Sequence, residues 1–377
     1  MFQLAKEQKM IREMAADFAK IYLLNDYQKY EESGDFPFSL ARQLGQQGFL
    51  GLNVKPENGG AGAGFLAGLF AIEEIAKVYP SLAFFMEVAQ VSIHLLGQHG
   101  TDEQRARYLK PIIAGEKFAC IAATEPTGGS DLANIGTIAT PQEGGYSIAG
   151  RKVYITSGGI ADVCLVLAKT GEKASILLVE KGTPGFIVAR REKQMGFKSS
   201  DVSELVFDNC YVSDANIVGG KGNGLPLAMG AFTLTRPSIG AIGLGIAAGA
   251  FAIALKYAQE RVLYGSPISK LQNIQFLLAE METEIEKARW VIYQPAAMLD
   301  AGANAKEIAK YSARAKAVGA EVGFDVTKKA IQILGGYGVS PEYRLAGLLN
   351  DAMELFPATG TVEIMKVIQA GEIIRGK

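Results

Sequence analysis

The spacing of apolar residues changes twice along the chain. Over residues 1–115 it is helical: Met10, Met14, Phe18 and Ile21 recur at intervals of three and four. A turn-rich stretch, Lys55-Pro-Glu-Asn-Gly-Gly-Ala-Gly, separates the early helices from an apolar run over 64–78. Pro80 ends that run, and a further helix is predicted to about Gly97. Thr101-Asp-Glu-Gln carries the signature of a helix start, with Thr101 as cap and Gln104 in the reciprocal position. From about 116 the pattern becomes one of short strands, at 118–123, 146–155, 163–168, 175–179, 204–207 and 210–212, mostly separated by glycine-containing turns. That spacing suggests a small barrel or sandwich. Long helical segments return at 225–261, 270–300, 304–334 and 358–374, which predicts a four-helix bundle. The expected architecture is therefore α+β in three domains: a helical domain over 1–115, a β-barrel-like domain over 116–220 and a helical bundle over 221–377.

One segment tests whether the chain belongs to water or to lipid. Residues 239–255 are 17 positions without a charge, just short of a bilayer span. Gly240, Gly243, Gly245 and Gly249 recur in it, Arg236 and Lys256 flank it, and it stands alone, so a buried bundle helix is expected and no membrane span. Gly243-x-Gly245 mimics a dinucleotide fingerprint, but no strand precedes it and the third glycine is misplaced. With 49% apolar and 20% charged residues in 377, the composition excludes intrinsic disorder. A net charge of −1 without a charged tail argues against a nucleic-acid partner. Cys120, Cys164 and Cys210 lie far apart and only His94 and His99 accompany them, so neither a disulfide scaffold nor a metal site is expected. The charged N-terminus lacks a signal-peptide core, and a cytoplasmic location is expected.

The chemistry begins at two strand ends. Thr124-Glu-Pro-Thr-Gly-Gly-Ser-Asp131 follows one strand, with Gly128 and Gly129 permitting close backbone approach to a ligand and Thr124 and Ser130 offering hydroxyls. Lys152-Val-Tyr-Ile-Thr-Ser-Gly-Gly159 ends a second strand in the same manner. Together these segments resemble the flavin-binding strands of the acyl-CoA dehydrogenase family. The resemblance continues in Arg261-Val-Leu-Tyr-Gly-Ser-Pro-Ile268 with Gln272, in Gln332-Ile-Leu-Gly-Gly-Tyr-Gly338, in Lys55-Pro-Glu-Asn-Gly-Gly60 and in Asp351-Ala352, so it spans the chain in order. It implies a homotetramer with FAD in each subunit, an acyl-CoA substrate and an electron-transferring flavoprotein as acceptor. By position it implies that Ile121, Ala123, Thr124, Tyr154 and Thr156 line the isoalloxazine, that Gly129 belongs to the cofactor site and that Ser130 lies near both the flavin phosphate and the CoA arm. Arg261, Tyr264, Gln272, Gln332 and Gly336 would hold the diphosphate and adenosine from a partner subunit, with Thr361 and Glu363 completing the cofactor set.

The departure from the family lies in the base. The family removes a proton alpha to the thioester with a carboxylate while hydrogen-bond donors take up charge at the thioester oxygen. Its usual glutamate stands immediately before Gly-Thr; here Thr359 precedes Gly360-Thr361. The alternative glutamate of some members precedes the arginine of the bundle helix; here Thr235 precedes Arg236. The Thr359 backbone N–H remains available to the thioester oxygen, and Phe84, Thr235, Arg236 and Gly360 are expected to line the substrate. Glu87 is the candidate replacement base. It lies in a nearly charge-free helix whose Ala83, Phe84 and Val91 share its face, which would desolvate the carboxylate and raise its pKa. By the family fold this helix is the far wall of the acyl pocket, with Phe84, Phe85, Met86 and Phe356 as candidate bulky walls. A base there meets a distal carbon, so the expected substrate is an unsaturated or cyclic thioester of the cyclohexene-carboxyl-CoA type. The alternatives are a lyase of the desulfinase kind, with Arg236 receiving the leaving anion, and a catalytically silent relative.

Overall fold

The N-terminal helical spacing becomes α1 (Lys6–Phe18), α2 (Tyr27–Ser33), α3 (Phe38–Gln46), α4 (Phe65–Ala76) and α5 (Pro80–His99), followed by the one-turn helices α6 (Asp102–Gln104) and α7 (Lys110–Ile113). The computed structural model describes residues 5–376. Helix α1 buries Ile11, Ala15 and Phe18, whereas Met10, Met14 and Ile21 face outward. The expected spacing was right but the stripe was not, since Met10 and Met14 lie on the face turned away from α4. On the inner side Arg12 reaches the Glu74 carboxylate of α4 at 2.7 Å. At α6 the Thr101 hydroxyl accepts from Gln104 N at 3.2 Å, while the Gln104 side chain accepts from Thr101 N at 3.1 Å. Helix α5 is buried from Pro80 to Leu96, because it packs against α4, the sheet domain and the bundle together.

The middle of the chain forms β1 (Ala119–Ala122), β2 (Ile138–Gln142), β3 (Gly145–Thr156), β4 (Val163–Lys169), β5 (Ala174–Glu180), β6 (Phe186–Arg191), β7 (Val202–Ser213) and β8 (Ile217–Val218). Their order is β6-β7-β3-β2-β4-β5-β8, and β1 adds in parallel to β4. The sheet domain has a core of its own, built from alternate residues such as Ile148, Val166, Leu177 and Leu205. Strands β2 and β6 were not expected from the sequence. Both are mostly exposed, so neither shows an apolar alternation. The two strands expected at 204–207 and 210–212 are one, β7. Asp208-Asn209 reads as a turn, but β7 stays paired with β3 on both sides of a register shift there. A second shift on β3 between Lys152 and Ile155 is a bulge at which Tyr154 adopts φ 54°.

The last part forms α8 (Gly224–Glu260), the short hairpin β9 (Val262–Leu263) and β10 (Ser266–Pro267), then α9 (Gln272–Asp300), α10 (Ala305–Leu334), α11 (Leu345–Glu354) and α12 (Val362–Ile374). The charge-free run of α8 is buried between helices. A Cβ on Gly243 would lie 2.0 Å from the Gly319 carbonyl oxygen of α10, and one on Gly245 would lie 2.6 Å from the Glu73 carbonyl oxygen of α4. The glycines therefore let α8 touch two neighbours backbone to backbone. Pro237 inside α8 cannot donate to the Thr233 carbonyl, and the Ser312 hydroxyl of α10 donates to it instead at 2.5 Å. The helix expected from residue 358 begins at Val362. Thr359 and Gly360 both take positive φ, 50° and 94°, and such residues cannot continue a right-handed helix.

Candidate functional site

Strands β1 and β3 end side by side. The Thr124 carbonyl accepts from Val153 N at 3.0 Å. A buried ion pair locks the same two ends: Lys152 Nζ donates to Glu125 Oε1 at 2.8 Å and to the Ala123 carbonyl at 3.1 Å. Burial pushes the Glu125 carboxyl up, but Lys152 and the N–H groups of Gly136 and Thr137 outweigh it and hold it at about 2. Ile121 and Thr156 are half-buried, Ala123 is buried, Thr124 is half-buried, and Gly129 and Ser130 are exposed. The bulge turns Tyr154 outward, leaving it 66% exposed. A large aromatic presented on a rigid strand end is suited to lie against a planar ring.

A second concavity, of roughly 690 Å³, opens beside the bundle and is lined by Tyr257, Arg261, Gln332, Gly336 and Tyr337 among others. Arg261 stands 5.9 Å from the centre of the Tyr337 ring. Three expected cofactor residues, Arg261, Gln332 and Gly336, therefore meet in one pocket that offers a guanidinium, an amide and open backbone. That donor set fits a diphosphate and a nucleoside. Tyr264, 94% exposed at the β9–β10 tip with φ 53°, and Gln272 at the start of α9 are not in this pocket. Thr361 caps α12, its hydroxyl accepting from Ile364 N at 3.2 Å, and Glu363 is exposed in that helix's first turn.

The third cluster joins α5, α8 and the turn before α12. Arg236, 4% exposed, directs Nε at the Thr359 carbonyl (3.5 Å) and Nη1 at the Thr233 hydroxyl (3.4 Å). Among the described residues it has no carboxylate within 4.0 Å. Burial lowers the guanidinium to about 10, and Glu87 opposes that shift. Glu87 is 1% exposed, and burial raises its carboxyl to about 8, against the pull of the Thr235 hydroxyl and of Arg236. Glu87 Oε1 and Thr235 Oγ1 nevertheless make no hydrogen bond of normal geometry. The structure thus brings Glu87, Thr235, Arg236, Thr359 and Gly360 together. Phe84 stacks on Phe197 at 4.8 Å between ring centres, and Phe85 packs edge-on against Phe36 and Phe118, so Phe85 belongs to the domain core. Met86 lines a small enclosed cavity between α4, α5, α8 and α9 together with Gln90, His94, Leu234 and Ser238. Burial lowers His94 there to about 4, so its ring is neutral.

Lys316 was not anticipated. It projects from α10 beneath the Phe356–Gly360 turn, wholly buried, and donates to the Phe356 and Gly360 carbonyls at 2.8 Å each. Its signal in the sequence is a lone cation on the stripe Ser312, Lys316, Ala320, which otherwise holds only small uncharged residues.

Three family models match the chain in succession: the acyl-CoA dehydrogenase N-terminal domain over residues 5–116, the middle domain over 120–210 and the C-terminal domain over 222–374. A short-chain specific acyl-CoA dehydrogenase of Clostridium acetobutylicum is 35% identical, covering 99% of this chain and all of the relative. An acryloyl-CoA reductase (NADH) of Anaerotignum propionicum is 35% identical over 99% of this chain and 96% of its own. The solved structure of butyryl-CoA dehydrogenase from Megasphaera elsdenii superposes over the whole of both chains with TM-score 0.96 at 32% identity. Solved structures of this fold at 28% identity include FAD complexes. With the pocket around Arg261 fitting the cofactor and all three family domains present in order, the chain belongs to the acyl-CoA dehydrogenase family of FAD-binding oxidoreductases.

Proposed function

We propose that the chain oxidises an unsaturated or cyclic acyl-CoA thioester of the cyclohexene-carboxyl-CoA type by 1,4-elimination, with Glu87 as the base. The observation that carries the proposal is a buried carboxyl, raised to about 8 and with one oxygen unbonded, that feels Arg236, whose guanidinium in turn reaches the turn holding Thr359 where the resemblance expects a carboxylate. No carboxylate of the described residues lies within 4.0 Å of Arg236, which supports a site without the carboxylate that the resemblance puts beside the alpha carbon. A thioester that is already unsaturated makes its γ proton acidic, because the electron pair left behind spreads into the thioester carbonyl. Glu87 takes that proton. The Thr359 N–H, which donates to no protein acceptor among the described residues, would donate to the carbonyl oxygen where the charge gathers. Arg236 adds positive potential to the same side. Bound FAD would supply the acceptor for the hydride, which leaves the ring carbon on the other side of the alpha carbon, so that loss of this hydride and of the γ proton gives the conjugated diene; the candidate flavin residues are Ile121, Ala123, Thr124, Tyr154 and Thr156.

Support for an unsaturated acyl group comes from relatives named for acryloyl-CoA and for 3-(aryl)acrylate. An electron-transferring flavoprotein is the acceptor we favour. A structure solved for that protein from Acidaminococcus fermentans includes a chain of this fold. The assembly we favour is the tetramer, in which Tyr264 and Gln272 would meet a neighbour's cofactor. A second reading, release of sulfite from a sulfinate-bearing acyl-CoA, is favoured by one observation: Arg236 is a buried cation without an ion pair among the described residues. The test is to incubate the FAD-loaded protein with cyclohexene-carboxyl-CoA and an artificial electron acceptor and identify the product. A conjugated diene is expected. Absence of any diene, with sulfite released from a sulfinopropionyl thioester, would replace the first reading with the second.

A further inference from the structure

The geometry points to Lys316 as the positioning residue of the thioester-binding turn, a role that rests on the reading of Thr359 as donor to the thioester oxygen. The turn from Phe356 to Thr361 is under conformational stress. Thr359 is not glycine, yet it takes φ 50°, a left-handed conformation that residues with a Cβ adopt only under constraint. Gly360 follows at φ 94°, with a Cβ there 2.9 Å from Met365 Cε. Such a turn persists only if something fixes both of its ends. The entry end, the Phe356 carbonyl, accepts from Val362 N at 3.1 Å and from Lys316 Nζ at 2.8 Å. The exit end, the Gly360 carbonyl, accepts from Lys316 Nζ at 2.8 Å. One ammonium thus bridges the two ends of the loop that carries the Thr359 N–H.

The residue type is demanding. Lys316 lies wholly buried on α10, where a neutral side chain would avoid the desolvation cost. The charged groups facing it are Arg236 from α8, which repels it, and Glu363 from α12, which attracts it. Its burial near a second cation is tolerated because two peptide oxygens receive its protons. A neutral lysine would still have two N–H groups for those oxygens. Protonation adds a third, together with a positive charge behind the turn on the side where the thioester oxygen gains negative charge.

The test uses the FAD-loaded protein and butyryl-CoA labelled with carbon-13 at the carbonyl. The saturated thioester should bind without turning over, so isotope-edited infrared spectroscopy reports how strongly the carbonyl is polarised. In the wild type the carbonyl stretch should move to lower frequency on binding. In Lys316→Met it should return towards the free-thioester value, with affinity falling about 10- to 100-fold and flavin content unchanged. Lys316→Arg should recover part of the shift. An unaltered stretch and affinity in flavin-loaded Lys316→Met overturn the proposal. Should that variant not load FAD, Lys316→Gln carries the same comparison with the same refuting result. Failure of the wild type to bind the thioester at all would instead sink the acyl-CoA reading, and this proposal with it.

Discussion

Replacing Glu87 by glutamine removes the base while keeping its shape. Glu87 Oε1 makes no hydrogen bond that the amide would lose, so the variant should fold and load FAD. General-base catalysis contributes about 10²- to 10⁴-fold. Glu87→Gln should therefore lower kcat/KM on cyclohexene-carboxyl-CoA by that factor, roughly 3–5 kcal/mol of transition-state stabilisation. The wild-type pH profile supplies a second measurement. Burial lifts the Glu87 carboxyl to about 8, and only its ionised form accepts a proton. At pH 7 about one site in ten is ionised, so kcat/KM should rise about tenfold per pH unit below pH 8 and level off above it. A carboxylate with an ordinary pKa would give a profile already flat at pH 6. Steady-state rates with an artificial acceptor between pH 6 and 9 decide the matter. A flat profile, or a Glu87→Gln variant with wild-type rates, refutes the assignment of Glu87 as base.

The same carboxyl affects stability with a definite sign. Between its unfolded value of 4.5 and its folded value of about 8 the native state holds a proton that the unfolded chain releases, so the stability contribution of Glu87 is lost as pH rises through that window. The urea midpoint of Glu87→Gln should consequently gain on wild type from pH 5 to pH 8.5, and a constant difference would contradict the raised pKa. Thr359→Glu restores a carboxylate near Arg236 and should confer measurable oxidation of butyryl-CoA, on which the wild type should be nearly inactive; no gain in a flavin-loaded variant would count against the lost-base reading. Gly243→Ala drives a Cβ to 2.0 Å from the Gly319 carbonyl oxygen and should destabilise by roughly 1–3 kcal/mol, whereas Gly230→Ala, with open space around it, should be neutral or stabilising in denaturant titrations.

The parts of the fold legible in the sequence are those where one side of an element is buried and the other is not, or where a chemical stop is present. Pro80 and the Thr101–Gln104 cap announce themselves in this way, while the charge-free run of α8, buried on every side over 239–247, is legible by its unbroken apolar length instead. Strands β2 and β6 do not, because they lie at the surface and their residues follow no alternation. Helix α1 shows the limit of periodicity: the interval of the apolar residues reveals a helix, but two competing stripes, Met10-Met14 and Ile11-Ala15-Phe18, are equally regular. Only packing against α4 selects the second. The break between α11 and α12 is another case. Pro357 and Gly360 mark a break in the sequence, but the left-handed conformation of Thr359 has no local signal and is held by contacts from α8 and α10.

The site divides along the same line. Residues that act through local strand or loop chemistry, such as Thr124, Tyr154, Arg261 and Gln332, stand in recognisable segments, and three of the expected cofactor residues share one pocket. What sequence order cannot convey is electrostatic balance across helices. Taken singly, Arg236 is a helix cation, Lys316 a lysine among alanines and Thr359 a threonine in a turn. In the fold the guanidinium and the ammonium approach the same turn from α8 and α10, and both are lowered by burial, to about 10 and about 7. A glutamate at 359 would neutralise part of that charge. With threonine there, the positive charge on this side is opposed, among the described residues, by Glu87, itself mostly protonated at neutral pH, and by Glu363 at the exposed start of α12. On the proposed reading, threonine at 359 therefore does more than withhold a base. It would leave a site whose potential favours negative charge on a bound thioester, and it would assign proton acceptance to Glu87, from which a different carbon of the acyl group would be within reach.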